Sequence, residues 1–133
     1  MQYLLDTSIC VFFLRGELDL NKRIYIIGRE NCFVSEITVF ELTYGAENRL
    51  NPKKSHKAVK DFLNDLSVIP IYECVDTYAK EKIRLRKQGT PMHDEFDLLI
   101  GISALKNNLT LVPDNEKDFR FLDGLNIENW NRI

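Results

Sequence analysis

The chain has 133 residues, 44% of them apolar and 29% charged, and a formal net charge of −2. This is an ordinary globular balance, with room for one domain (residues 1–133) around one continuous core. The slight negative charge excludes a basic nucleic-acid coat protein, so a nucleic-acid partner must be held locally, by a basic strip or through metal ions. The cysteines Cys10, Cys32 and Cys74 are odd in number and form no C-x-x-C pair, and they read as buried reduced thiols of a cytoplasmic protein. No run approaches the roughly 18 apolar residues of a membrane span, so no membrane association is expected. Met1-Gln2-Tyr3 lacks the basic start of a secretory signal.

Tyr3-Leu4-Leu5 predicts a buried strand, with a helix from Thr7 directly after Asp6. Cys32-Phe33-Val34 predicts a second strand, and either Ser35 or Thr38 caps a helix through Val39, Leu42 and Ala46. Pro52 sits in the first turn of another helix, where Val59, Phe62, Leu63 and Leu66 follow helical spacing. Val68-Ile69-Pro70-Ile71 is the third strand. The next helix carries Val75, Ala79 and Ile83 on one apolar face and ends near Gly89-Thr90-Pro91. A further helix starts around Asp94 with Leu98, Leu99, Ile102 and Leu105. Leu109-Thr110-Leu111-Val112 is the fourth strand, and Leu125-Asn126-Ile127 a candidate fifth. Short apolar strands alternating with longer helices predict a three-layer α/β/α fold with a short, mainly parallel sheet. In such sheets functional groups collect beyond the carboxyl ends of the strands.

Asp6 follows the first strand, and Asp114 and Asn115 follow the fourth after Pro113. Glu41 lies in the first turns of the helix after the second strand, and Asp97 near the start of the helix before the fourth. A parallel sheet brings all of these to one edge. Two unit charges 4 Å apart repel by about 4 kcal/mol at an effective dielectric of ~20, so protons or cations must neutralise such a site. Oxygen-only ligands suit Mg²⁺ or Mn²⁺, and an acid site with no nucleophilic Ser, Cys or His fits metal-activated water attacking a phosphodiester. Taken singly, Asp6 also reads as a helix N-cap and Glu41 as a solvated helix residue. Asp97 is flanked by Phe96, Leu98 and Leu99, where an unpaired charge is costly.

Leu4-Leu5-Asp6-Thr7-Ser8 resembles the opening motif of PIN domains, in which the Asp binds metal and the next hydroxyl helps hold it. Ile37 to Ala46, with Glu41 at its centre, resembles the second motif, and Gly89-Thr90-Pro91 followed by Asp97-Leu98-Leu99-Ile100 the third. The tail from Phe119 through Trp130 is similar to the end of VapC-type toxins, so the resemblance covers nearly the whole chain in order. It implies a Mg²⁺- or Mn²⁺-dependent endoribonuclease with Asp6, Glu41 and Asp97 as catalytic metal ligands and Thr7 close to the substrate. It also implies structured RNA, tRNA in particular, as substrate, a homodimer, and a small cognate antitoxin. One departure concerns the fourth strand, after which many VapC-like proteins have a Thr and then an Asn or Asp. Here those positions are Pro113 and Asn115, with Asp114, Glu116 and Asp118 all close enough to take an acidic role, so the fourth ligand lies among residues 114–118, with Asn115 or Asp114 foremost.

The most basic stretch, Lys80 to Lys87, reads either as a solvated helix face or as an RNA-phosphate contact through Arg84 or Arg86. His56 and His93 are the only histidines, and no pattern brings them together as the acid–base pair of a metal-free ribonuclease. Two other functions stand beside the nuclease. One is an acid-pocket phosphatase with Asp6 as nucleophile, disfavoured by Ser8 where a second Asp belongs. The other is a catalytically inactive PIN-like binding module, disfavoured by the intact set Asp6, Glu41 and Asp97.

Overall fold

β1 (Tyr3–Leu5), β2 (Cys32–Ser35), β3 (Ser67–Ile69) and β4 (Thr110–Val112) form a sheet in the order β3-β2-β1-β4, with every pairing parallel. These elements belong to a computed structural model that describes residues 1–130. The central strands are apolar along their whole length because parallel strands are covered on both faces. Leu4 enters one core, with Leu85, Leu98, Leu111 and Phe119. Leu5 enters the other, with Ile9, Leu20, Val34, Phe62 and Trp130. Adjacent residues of a strand point to opposite faces, so one dipeptide anchors both outer layers.

Pairs of helices make the crossovers: α1 (Thr7–Leu14) and α2 (Leu20–Ile27), α3 (Glu36–Glu47) and α4 (Pro52–Asn64), and α5 (Val75–Gln88) and α6 (Glu95–Lys106). The result is the three-layer α/β/α architecture expected. In the β1–β4 register Leu5 stands opposite Val112, and the Asp6 N–H donates to the Val112 carbonyl at 3.0 Å. The chain therefore leaves both of these strands at the same edge of the sheet. Asn51 caps α4, accepting from the Lys54 N–H at 3.3 Å, with Pro52 at the first helical position. Ser35 rather than Thr38 caps α3, accepting from the Ile37 N–H at 3.1 Å.

The structure departs from expectation in four respects. The predicted helix from Thr7 is short, and α2 comes after it with no counterpart among the predicted elements. Its buried stripe is only Leu20 and Ile24, one residue per turn, too little to mark a helix in the sequence. The α5 face predicted to be apolar looks outward. Val75 is 53% and Ile83 41% exposed, and Ala79 is open as well. Leu85 is buried instead, and Tyr78 packs on the core with its hydroxyl bonded to Glu95 of α6. Finally, Leu125–Ile127 contributes one parallel bridge, Ile127 to Leu111, rather than a strand. The third strand starts one residue earlier and ends two residues earlier than predicted, and the fourth starts one residue later.

Gly101 lies at the closest approach of α6 to the C-terminal segment. A Cβ there would stand 2.4 Å from Leu122 Cδ1 and 3.3 Å from Phe119 Cδ1, both in buried side chains. Overpacking should outweigh the gain in helix propensity. Gly101→Ala is expected to lose about 1 kcal/mol and Gly101→Val about 3 kcal/mol in urea unfolding; a stabilised Gly101→Ala would show that Leu122 swings aside freely.

Candidate active site

Asp6 has extended backbone (φ −65°, ψ 155°) and caps α1, its carboxylate accepting the Thr7 N–H at 2.7 Å. It is only 5% exposed. Thr7 opens α1, and its hydroxyl donates to Glu41 Oε1 at 2.7 Å. The Thr38 hydroxyl lies 2.9 Å from that of Thr7. A hydroxyl has one proton to give, so Thr38 donates to Thr7 and Thr7 to Glu41. Thr38 and Glu41, three residues apart, share one face of α3. This relay ties the first turns of α1 and α3 together at the sheet edge.

On the other side of the edge Asp94 caps α6 by accepting the Asp97 N–H at 3.1 Å. Asp97 is thereby set in the first turn, and Asp114 comes after β4 and Pro113. These groups line an open cleft of about 430 Å³ bounded by Asp6, Thr7, Ser8, Val11, Phe12, Arg15, Glu41, Asp94, Asp97 and Asp114. Among the described residues, five carboxylates thus face a single guanidinium.

The crowding registers in the acidities. Burial first, then the charges of Asp97 and Glu41, push Asp6 up to about 7, against the pull of the Thr7 and Asp114 backbone N–H groups. Burial and the charges of Asp94, Asp118 and Glu41 push Asp97 up to about 6. Two partly buried acids raised in this way are what an added cation would relieve. Among the described residues, no three His, Cys, Asp or Glu side chains are placed to hold one ion by themselves. The donor set fits Mg²⁺ all the same, since Mg²⁺ binds through one or two carboxylates and keeps several waters. Asp6 and Asp97 are the pair that fits it best, with Glu41 already engaged by Thr7.

The PIN domain family model matches residues 3–125. The chain belongs to the PIN-domain family. Within that family its relatives are VapC proteins. It is 33% identical over 132 residues to Ribonuclease VapC2 of Haemophilus influenzae, covering 98% of both chains. It is 29% identical over 132 residues to the tRNA(fMet)-specific endonuclease VapC of Salmonella typhimurium, again covering 98% of both. Among solved structures, the DNA-bound VapBC of Salmonella typhimurium superposes with a TM-score of 0.90 at 27% identity, over 98% of each chain. VapBC2 of Rickettsia felis bound to a promoter DNA fragment gives 0.89 at 28% identity, over 98% of this chain and 99% of that one.

In this PIN domain Asp6, Thr7, Glu41 and Asp97 come to one cleft, and other expected residues do not. Of the two candidates after β4, Asp114 lines the cleft. The Asn115 side chain instead accepts the Lys117 N–H at 3.2 Å and caps the turn Glu116–Asp118. Arg84, an expected RNA contact, is held away by Glu81 at 2.8 Å, Asp123 at 3.3 Å and the Phe121 carbonyl at 2.7 Å. Arg86 is exposed in the last turn of α5 and is not part of the cleft lining. His56 pairs with Glu47 at 2.6 Å, while His93 is exposed, and neither lines the cleft. Arg15, Ser8, Val11, Phe12 and Asp94 were missed as site residues. For four of them the signal was present: positions 8, 11, 12 and 15 have the spacing of one helix face running on from Asp6.

The raised acidities set a stability prediction. The usual carboxylate value, near 3.8, applies to the unfolded chain, while folded Asp6 and Asp97 titrate near 7 and 6. Between these limits the folded PIN domain binds more protons than the unfolded chain, so these two groups make stability fall as pH rises. In EDTA, Asp97→Asn should therefore melt above the wild type at pH 8, by roughly 3–6 °C for each 1 kcal/mol relieved, with that advantage shrinking as pH falls below 6 and gone only near pH 4. A variant that melts lower than wild type at pH 8 would show that the acids do not strain the fold.

Proposed function

We propose that this PIN domain is a metal-dependent endoribonuclease, the toxin of a toxin–antitoxin pair, acting in the cytoplasm on structured RNA and on tRNA in particular. The observation that carries the reading is the buried Asp6, raised by burial and by Asp97, at the floor of a cleft that offers carboxylates and hydroxyls but no Cys or His. Asp6 and Asp97 would hold Mg²⁺ or Mn²⁺, with Asp114 as the further acid after β4 and Glu41 set by the Thr38–Thr7 relay. Bound there, the ion supplies an activated water and Lewis-acid charge for phosphodiester hydrolysis. The chain's own part is to fix the acids against their repulsion and to keep Glu41 turned toward the cleft through Thr7. The relatives' names, ribonuclease and tRNA(fMet)-specific endonuclease, support RNA as the substrate. Residues 1–133 would act as one nuclease unit. Ser8 lines the cleft where an aspartyl-phosphate enzyme would need its second Asp, so the phosphatase reading gains no support.

Solved relatives are VapBC assemblies, which supports a cognate antitoxin for this chain. An acidic cleft calls for an inhibitor that brings positive charge, and an Arg or Lys of the antitoxin would take the cation position. The homodimer belongs to the same proposal, and the outward stripe Val75, Ala79 and Ile83 of α5 is the apolar face it would cover.

Incubation with 5′-labelled tRNA tests the reading. Wild type should cleave with Mg²⁺ and stop in EDTA, and Asp6→Asn and Asp97→Asn should each abolish cleavage while folding normally. Intact cleavage in either variant would defeat the metal-nuclease assignment. Asp114→Ala should weaken Mg²⁺ activation roughly 10- to 100-fold and Asn115→Ala far less, and the reverse order would move the fourth acid position to Asn115. Expression of the chain alone should arrest growth, relieved by Asp6→Asn or by co-expression of the antitoxin.

A further inference from the structure

α1 ends for a reason that bears on the cleft. Gly16 adopts φ +71°, its N–H donates to the Phe13 carbonyl at 3.0 Å, and the Glu17 N–H donates to the Phe12 carbonyl at 2.9 Å. This is the double closure of a Schellman motif, which needs a residue free to enter the left-handed region just past the cap. It sets Arg15 as the last residue of the helix face that starts at Ser8 and passes through Val11 and Phe12, all four lining the cleft. Asp6 to Arg15 spans nine positions, about 13 Å of helix axis.

Among the described residues, Arg15 is the only cation in that lining, beside five carboxylates, and its side chain makes no ion pair or hydrogen bond. Arg84, by contrast, is held by two carboxylates and a carbonyl. The five donors of Arg15 are thus free in a planar fork that matches a phosphate. Between it and the acid floor lie Val11 and Phe12, half-buried, with part of each side chain on the core and part turned to the cleft. A cationic end, an apolar middle and a floor that takes a metal form a track for one nucleic-acid strand, where a base packs on the apolar part and the backbone tracks the charge.

We propose that the α1 face Ser8–Val11–Phe12–Arg15 is a substrate subsite, in which Arg15 binds a backbone phosphate neighbouring the scissile one and Phe12 and Val11 carry the intervening nucleoside. The inference rests on the ribonuclease reading and adds to it the side of the cleft along which the RNA runs. It also explains how a polyanion would enter an acidic cleft: with the carboxylates of the floor neutralised by a bound cation, Arg15 would attract it at the end of the helix.

The test uses the purified full chain and 5′-labelled tRNA, with cleavage measured in Mg²⁺ and binding measured in EDTA across a KCl series. Arg15→Ala should raise KM by roughly tenfold or more with little change in kcat, and should lower the slope of log Kd against log salt by about 0.7 to 1. Arg15→Lys should keep the slope and recover part of the affinity, since it retains the charge and loses the fork. Lys60→Ala, on the exposed side of α4, controls for loss of a charge alone and should change neither quantity. A wild-type KM and salt slope in Arg15→Ala would overturn the inference while leaving the nuclease reading in place. So would a variant that loses kcat and melting temperature together, which makes Arg15 a helix-end cation only. Unchanged cleavage with loss of a co-purified protein partner would assign Arg15 to the inhibitor and overturn it too. A wild type that cleaves no tRNA with Mg²⁺ defeats the ribonuclease reading and this inference with it.

Discussion

Asp6 is buried where β1 stops, with its backbone N–H bonded to Val112 and its carboxylate to the first amide of α1. To move away from Asp97 it would have to give up the last rung of the β1–β4 ladder or the cap of the first helix. The repulsion is therefore held in place by backbone geometry, and the opposing force is the apolar core on both faces of the sheet. Leu4 and Leu5, immediately before Asp6, are both fully buried. The chain fixes a buried, repelled charge at the end of a fully buried strand. Perturbed acids collected in a cleft in this way make it the candidate functional site, since among the described residues no ion pair joins Asp6 or Asp97 to a cation.

The hydroxyl relay through Thr38 and Thr7 gives that edge its second feature. By accepting from Thr7, Glu41 is held at the cleft beside α1, where its charge acts on both Asp6 and Asp97. Direct three-carboxylate ligation is absent among the described residues, and space is left for an ion that carries its own water. The nearly neutral overall charge hides this arrangement. Several basic side chains of α5 are engaged elsewhere, Lys82 with Glu95 and Arg84 with Glu81 and Asp123, in surface pairs that stabilise little but keep those cations off the cleft. Among the described residues, Arg15 is left as the positive group of the lining.

Much of the architecture was legible in the residue order. Unbroken apolar runs such as Leu4-Leu5 and Leu111-Val112 identify strands covered on both sides, and parallel pairing then requires that Asp6 and the segment after Pro113 meet at one edge. Helix starts at Ser35, Asn51 and Asp94 carry their capping chemistry in the side chain itself. α2 was not legible, because two buried residues per eight do not make a periodicity.

Residue order settles which side chains share an element and a face, whereas packing between distant segments settles which face turns inward. α5 with its cap residue Cys74 offers two stripes, Val75–Ala79–Ile83 and Cys74–Tyr78–Leu85, and local spacing does not choose between them. The contact of Tyr78 with Glu95 and the burial of Cys74 and Leu85 do. The same holds for Asp114 against Asn115, neighbours whose roles separate only when the turn Glu116–Asp118 recruits Asn115 as its cap. It holds again for Arg15 against Arg84, alike in sequence as helix cations. A side chain's chemistry is a local property, while its direction depends on how a whole element is rotated against the sheet, and that rotation is set by contacts between residues far apart in the chain.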